Sequence, residues 1–116
     1  MRLIGQFAFG PVALVAFAAH AADPKPIRFW NLTTNTVVDF RAAPPGTGDW
    51  GPNQCANDRD GTVDHDERLR ISGIAPGRYD VKLTFKDGRV CTVRNIEMKD
   101  AGIFSIEDKD LVECGK

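Results

Sequence analysis

The body of this chain lacks any uninterrupted apolar run of about 18 residues, the length a helix needs to cross a bilayer. Net charge is also scarce, with 15 Lys+Arg against 16 Asp+Glu and a formal balance of −1. Near-neutrality with a pI near 6.1 excludes the strongly basic surface of a nucleic-acid binder. There are only two His and three Cys, and their scatter makes no zinc site of the usual spacing. Ser72 and Ser105 have neither a Gly-x-Ser-x-Gly setting nor a second His as base, so no hydrolase triad can be drawn. Glycine-rich phosphate loops and internal repeats are missing too. What remains, 42% hydrophobic and 27% charged, is the composition of one soluble globular domain.

Residues 1–22 read as a cleavable signal peptide. Arg2 gives a short positive start and Leu3 to Ala19 is mostly apolar, broken by Gly10-Pro11. Ala19-His20-Ala21 supplies the small-x-small pattern, with cleavage expected after Ala21 or Ala22. This implies a periplasmic protein whose single domain is 23–116. Processing leaves 94 residues, a net charge of −2 and His65 as the remaining His. A domain this small buries little over about 60% of its unfolded surface and benefits from a staple. Cys91–Cys114 is the favoured disulfide and Cys55–Cys114 the alternative. The sequence leaves both open, with one thiol over.

Past the Asp23-Pro24-Lys25-Pro26 linker the pattern has period two, not 3.6. Strands are expected over Ile27 to Leu32, Asn35 to Arg41, Arg68 to Ile71, Tyr79 to Phe85, Val90 to Ile96 and Ile103 to Glu107. Asp87-Gly88 reads as a two-residue hairpin turn with positive φ at both positions. Alternation assigns Trp30 to the core, whereas Trp50 is expected to pack over a sheet end or to serve as an exposed recognition aromatic. Asn31-Leu32-Thr33 matches a glycosylation sequon inside a strand. Six or seven short strands without a convincing helix predict an all-β fold, a small antiparallel immunoglobulin-like β-sandwich with a long acidic loop.

That loop, Pro44 to Asp66, has little strand character, and long loops in compact domains tend to carry function. Its end, Asp58-Arg59-Asp60-Gly61-Thr62-Val63-Asp64-His65-Asp66-Glu67, holds five carboxylates in ten residues. The spacing follows the latter part of a calcium loop, with Gly61 at the sixth position, Asp58, Asp60 and Asp64 at the third, fifth and ninth, and Glu67 at the twelfth. Alternating short carboxylates around a glycine turn can aim several oxygens inward at a hard cation. Asp58, Asp60, Asp64, Asp66 and Glu67 are therefore the expected metal ligands. An oxygen-only set favours calcium or a trivalent lanthanide over zinc or copper. The first position is Ala56, which offers no side-chain oxygen, so Asn57, Asn53, water or the acidic tail from Glu107 to Glu113 would have to substitute. His65 reads as an exposed loop residue.

Asp49-Trp50-Gly51-Pro52-Asn53-Gln54-Cys55, Asp60-Gly61-Thr62-Val63, Pro76-Gly77-Arg78-Tyr79-Asp80-Val81 and Asp87-Gly88-Arg89 together resemble a family of small exported bacterial β-sandwich proteins. The chain is also similar to the landiscernin-like periplasmic lanthanide-binding proteins of methylotrophic bacteria. The first resemblance covers nearly all of the chain after the signal segment, through motifs that are structural in kind. The second implies a lanthanide carrier or sensor. Two function classes follow for what reads as a protein that is not an enzyme. One is an exported metal-binding sandwich. The other is a disulfide-stapled interaction module, without metal, whose long loop and Trp50 meet a periplasmic protein partner. Redox sensing by the leftover Cys is a third and lesser expectation.

Overall fold

The computed structural model describes residues 26–115, and the expected signal segment and its cleavage site lie outside them. Seven strands form two sheets: β1 (Ile27–Leu32), β2 (Val37–Ala43), β3 (Arg68–Ile71), β4 (Gly77–Phe85), β5 (Val90–Met98), β6 (Ile103–Glu107) and β7 (Glu113–Gly115). One sheet has the order β3-β1-β6 and the other β2-β4-β5-β7. The all-β expectation holds, with a seventh strand at the C-terminus. Pairing is antiparallel except between β1 and β6, which run parallel with Arg28 beside Ile103 and Leu32 beside Glu107.

The core lies between the sheets. Phe29 of β1, Phe40 of β2 and Phe104 of β6 form a ring cluster, with centroids 5.0 Å apart for Phe29–Phe40 and 6.1 Å for Phe40–Phe104. Leu69, Val81, Leu83, Phe85 and Met98 complete it, each 1% exposed or less. Period two places alternate residues of a strand on one face, and the phase of β1 is the opposite of the one expected. Ile27, Phe29 and Asn31 point inward, while Trp30 is only half-buried on the outer face. There Arg68 lies over the indole, 4.3 Å from its centroid. The inward phase also takes Asn31 out of solvent, so the sequon asparagine is inaccessible in the folded chain.

The β4–β5 link departs from the expected turn as well. Positive φ occurs at Gly88 (94°) but not at Asp87. Asp87 instead accepts the Arg89 N–H at 2.9 Å, and Gly88 N–H donates to Phe85 O at 2.9 Å. A turn closed by one left-handed glycine is the longer hairpin type. The disulfide is Cys91–Cys114, joining Cα partners of β5 and β7, and Cys55 is the free, buried thiol.

Candidate cation-binding loop

The chain between β2 and β3 is held at several points. Asn53 Oδ1 accepts the N–H groups of Phe40 and Cys55, starting a short 3-10 helix over Gln54–Asn57. Gln54 and Asn57 then close the outer edge of β3. Ser72 N–H donates to Gln54 Oε1 at 3.0 Å, Gln54 Nε2 to Ser72 O at 2.9 Å, and Asn57 Nδ2 to Arg70 O at 2.8 Å. Side-chain amides thus occupy edge groups that would otherwise invite strand pairing. Asn53 has its side-chain oxygen committed to the fold and is not free to substitute at the first ligand position, whereas Asn57 is held through its Nδ2 alone.

Val63, 1% exposed, exchanges two backbone hydrogen bonds of 2.9 Å with Val37. Asn31 clasps the same segment from β1. Its side-chain Nδ2 donates to Val63 O at 2.8 Å, while its backbone N–H donates to Glu67 O at 2.9 Å. Thr33 donates to Asn31 Oδ1 through both N–H and hydroxyl. A buried amide with its polar groups satisfied rigidifies what it joins. The sequence reading missed Asn31 in this role. The available signal was a polar residue in phase with Ile27 and Phe29.

The five predicted carboxylates divide. Interaction with the neighbouring Asp60 carboxyl raises the Asp58 carboxyl above its ordinary value, and the same interaction lowers that of Asp60. The charge of Glu67 adds to the rise at Asp58. Gly61 follows in the left-handed region at φ 78°, and Asp60 Oδ1 accepts the Thr62 N–H at 3.0 Å. This is the sharp glycine turn that calcium-loop spacing requires. Asp64 and Asp66 are occupied elsewhere. Asp64 Oδ1 accepts from Thr36 Oγ1 at 2.8 Å, and Asp66 Oδ1 from Trp30 Nε1 at 3.0 Å. Glu67 Oε1 accepts the Asp64 N–H at 2.8 Å. Among the described residues no three His, Cys, Asp or Glu side chains converge into a group ready to hold a metal ion.

The other candidates are placed apart from the loop. Glu113 ion-pairs with Arg94 at 2.6 Å, and Asp108 accepts the Thr34 N–H at 3.0 Å. The Cys91–Cys114 bridge draws the acidic tail onto β5, not onto the loop. His65 is exposed, with Nδ1–H donating to Thr33 O at 2.8 Å, an assignment that follows from the carbonyl being only an acceptor. Burial first, then the charges of Asp39 and Asp58, push the Cys55 thiol up to about 12. Such a thiol stays protonated and unreactive at neutral pH, which argues against redox sensing. Trp50 is half-buried beneath Lys82, whose Nζ lies 5.1 Å from the ring centroid.

Comparison of the chain with protein-family models, with curated proteins and with solved structures finds no match. Fold and loop therefore define the class on their own: a small disulfide-stapled protein of two facing β-sheets with an anchored acidic loop. No helix among the described residues is long and apolar enough to cross a membrane.

Proposed function

We propose that the chain is an exported, non-catalytic cation-binding protein, periplasmic, with an immunoglobulin-like sandwich as its scaffold. The cation is calcium or a trivalent lanthanide, held by Asp58, Asp60 and Glu67 of the acidic loop. Asp64 and Asp66 then act as supports, through Thr36 and Trp30. The observation that carries this reading is the left-handed Gly61 turn at φ 78°, with the Asp60 side chain folded back onto the Thr62 N–H and the Asp58 carboxyl raised by its neighbours Asp60 and Glu67. Neighbouring carboxylates disfavour one another's ionised form, and a proton or a cation relieves that repulsion. A hard cation with a preference for six or more oxygens replaces that proton, and waters fill the remaining positions. The landiscernin-like resemblance points the same way, toward a carrier or sensor for lanthanides.

The test is calorimetric titration of the protein with calcium and with lanthanum, alongside the Asp60→Asn/Glu67→Gln double variant. The variant is expected to weaken binding by at least about tenfold with an unchanged melting temperature. Equal affinity in variant and parent would contradict the assignment.

One observation favours the interaction module instead. Backbone and side-chain donors already order the loop from Val63 to Glu67, so it forms without an ion to template it. Under that reading neither ion produces heat, and the double variant retains its protein partner.

A further inference from the structure

The outward residues of β1 and β3 leave a positive end on the three-stranded sheet. Arg28 and Arg70 are Cα partners across the β1–β3 register, and both are exposed. Like charges directly opposite on neighbouring strands destabilise a sheet. Arg41, Arg78 and Arg94 each have a carboxylate within 4.0 Å, but among the described residues Arg28 and Arg70 have none. This pair therefore has open guanidinium edges, suited to a carboxylate in bidentate geometry.

Arg70 also borders a groove of about 430 Å³ at the same end of the sandwich. Ile27, Ile71, Ile74 and Pro76 line it, and Asp100 is its one carboxylate. Arg28 N–H donates to Gly102 O at 3.0 Å, which fastens the β5–β6 turn holding Asp100 beside the start of β1. Asp100 has no ion-pair partner among the described residues. The groove wall is fixed from both sides. Ser72 is doubly bonded to Gln54, and Tyr79 Oη–H donates to Ala75 O at 2.6 Å. A concave, mostly apolar and pre-formed site with a few convergent polar groups is the usual form of a small-ligand pocket.

We propose that this groove binds a short apolar peptide with free termini. The peptide carboxylate lies on Arg70 with Arg28 beside it, its side chains cover Ile74, Ala75 and Pro76, and its ammonium faces Asp100. Charge complementarity selects this occupant. An extended polyanion would be repelled by Asp100 and would leave the apolar walls bare, whereas a zwitterion with an apolar body uses every feature. The proposal does not depend on cation binding at the acidic loop, which uses other residues.

The experiment is an amide-resolved NMR titration of the protein, in the presence of EDTA, with the dipeptide Leu-Leu and with its N-acetyl, C-amide form. Leu-Leu is expected to shift the amides of Ile71 to Ala75, and the blocked form to bind at least about fivefold more weakly. Arg70→Gln and Asp100→Asn are each expected to weaken Leu-Leu by a similar factor. Both residues are exposed, and thermal melting checks that the variants fold. Absence of shifts with Leu-Leu would overturn the proposal. So would unchanged Leu-Leu affinity in Asp100→Asn, which reduces the site to anion binding. Tighter binding of a sulfated oligosaccharide than of Leu-Leu at the Arg28–Arg70 pair would overturn it too, in favour of a polyanion surface.

Discussion

Cys91 and Cys114 face one another as Cα partners across β5 and β7, 4.0 Å apart, and the disulfide closes the 23-residue separation between them. A cross-link over a loop of that size removes chain entropy worth about 3 kcal/mol from the unfolded state. The Cys91→Ser/Cys114→Ser variant is expected to lose about that much stability in urea unfolding. Cys55 is expected to stay silent toward a thiol reagent in the native protein and to react fully once unfolded, because its buried thiol is pushed up to about 12. Native labelling at neutral pH would contradict this.

Asp80 is 2% exposed and ties three segments together. Gly46 N–H, Asn95 N–H and the Arg94 guanidinium all donate to its carboxylate, at 2.9, 3.0 and 3.0 Å. These contacts, led by the Gly46 amide, hold the Asp80 carboxyl below the ordinary carboxylate range. A carboxyl lowered in the folded state adds stability that is present above its unfolded value of about 3.9 and is lost as pH falls through its folded value. Asp80→Asn is expected to cost about 2 kcal/mol at neutral pH, since hydrogen bonds to a charged group are lost. The variant should also lose less stability than the parent on acidification, as read by urea unfolding from about pH 5 downward. Parallel acid limbs for the two proteins would show that Asp80 is not the group responsible.

Asn31 joins β1 to the acidic loop from within the core. Asn31→Ala would leave Val63 O and the Thr33 N–H without the partner Asn31 supplies, while the Thr33 hydroxyl and Asn35 O keep each other. Stranding buried polar groups in this way is expected to cost about 3 kcal/mol in total. Hydrogen exchange at Val63 and Asp64 is expected to speed up more than at β4, because the clasp acts on the loop. Uniform acceleration across the sheets would mean that Asn31 supports only the global fold.

The strands were legible wherever apolar and polar residues alternate strictly, as in Tyr79 to Phe85, where Val81, Leu83 and Phe85 are buried. The phase of β1 was not. Phe29 and Trp30 are both aromatic, so alternation offered two solutions, and the buried network of Asn31 and Thr33 selects between them. The parallel β1–β6 pairing joins segments far apart in sequence and leaves no local trace. Cys91–Cys114 was the favoured pairing because Cys91 falls in an expected strand and Cys114 just past the last one, and the bond joins these two across β5 and β7. At the loop, spacing read out the left-handed Gly61 turn. Spacing could not show that Asp64 and Asp66 spend their oxygens on Thr36 and Trp30, since those partners come from β1 and from the link between β1 and β2.

Terbium luminescence excited through tryptophan tests cation binding at the loop most directly. Energy transfer requires an indole close to the ion, and Trp30 hydrogen-bonds to Asp66, one residue from Glu67. The account predicts sensitised terbium emission from chelator-stripped protein, lost in Trp30→Phe, retained in Trp50→Phe and weakened by at least about tenfold in Asp60→Asn/Glu67→Gln. Calcium is expected to compete only at higher concentration, because the trivalent ion gains more from the same carboxylates. No sensitised emission, or emission indifferent to the double substitution, would contradict cation binding by Asp58, Asp60 and Glu67.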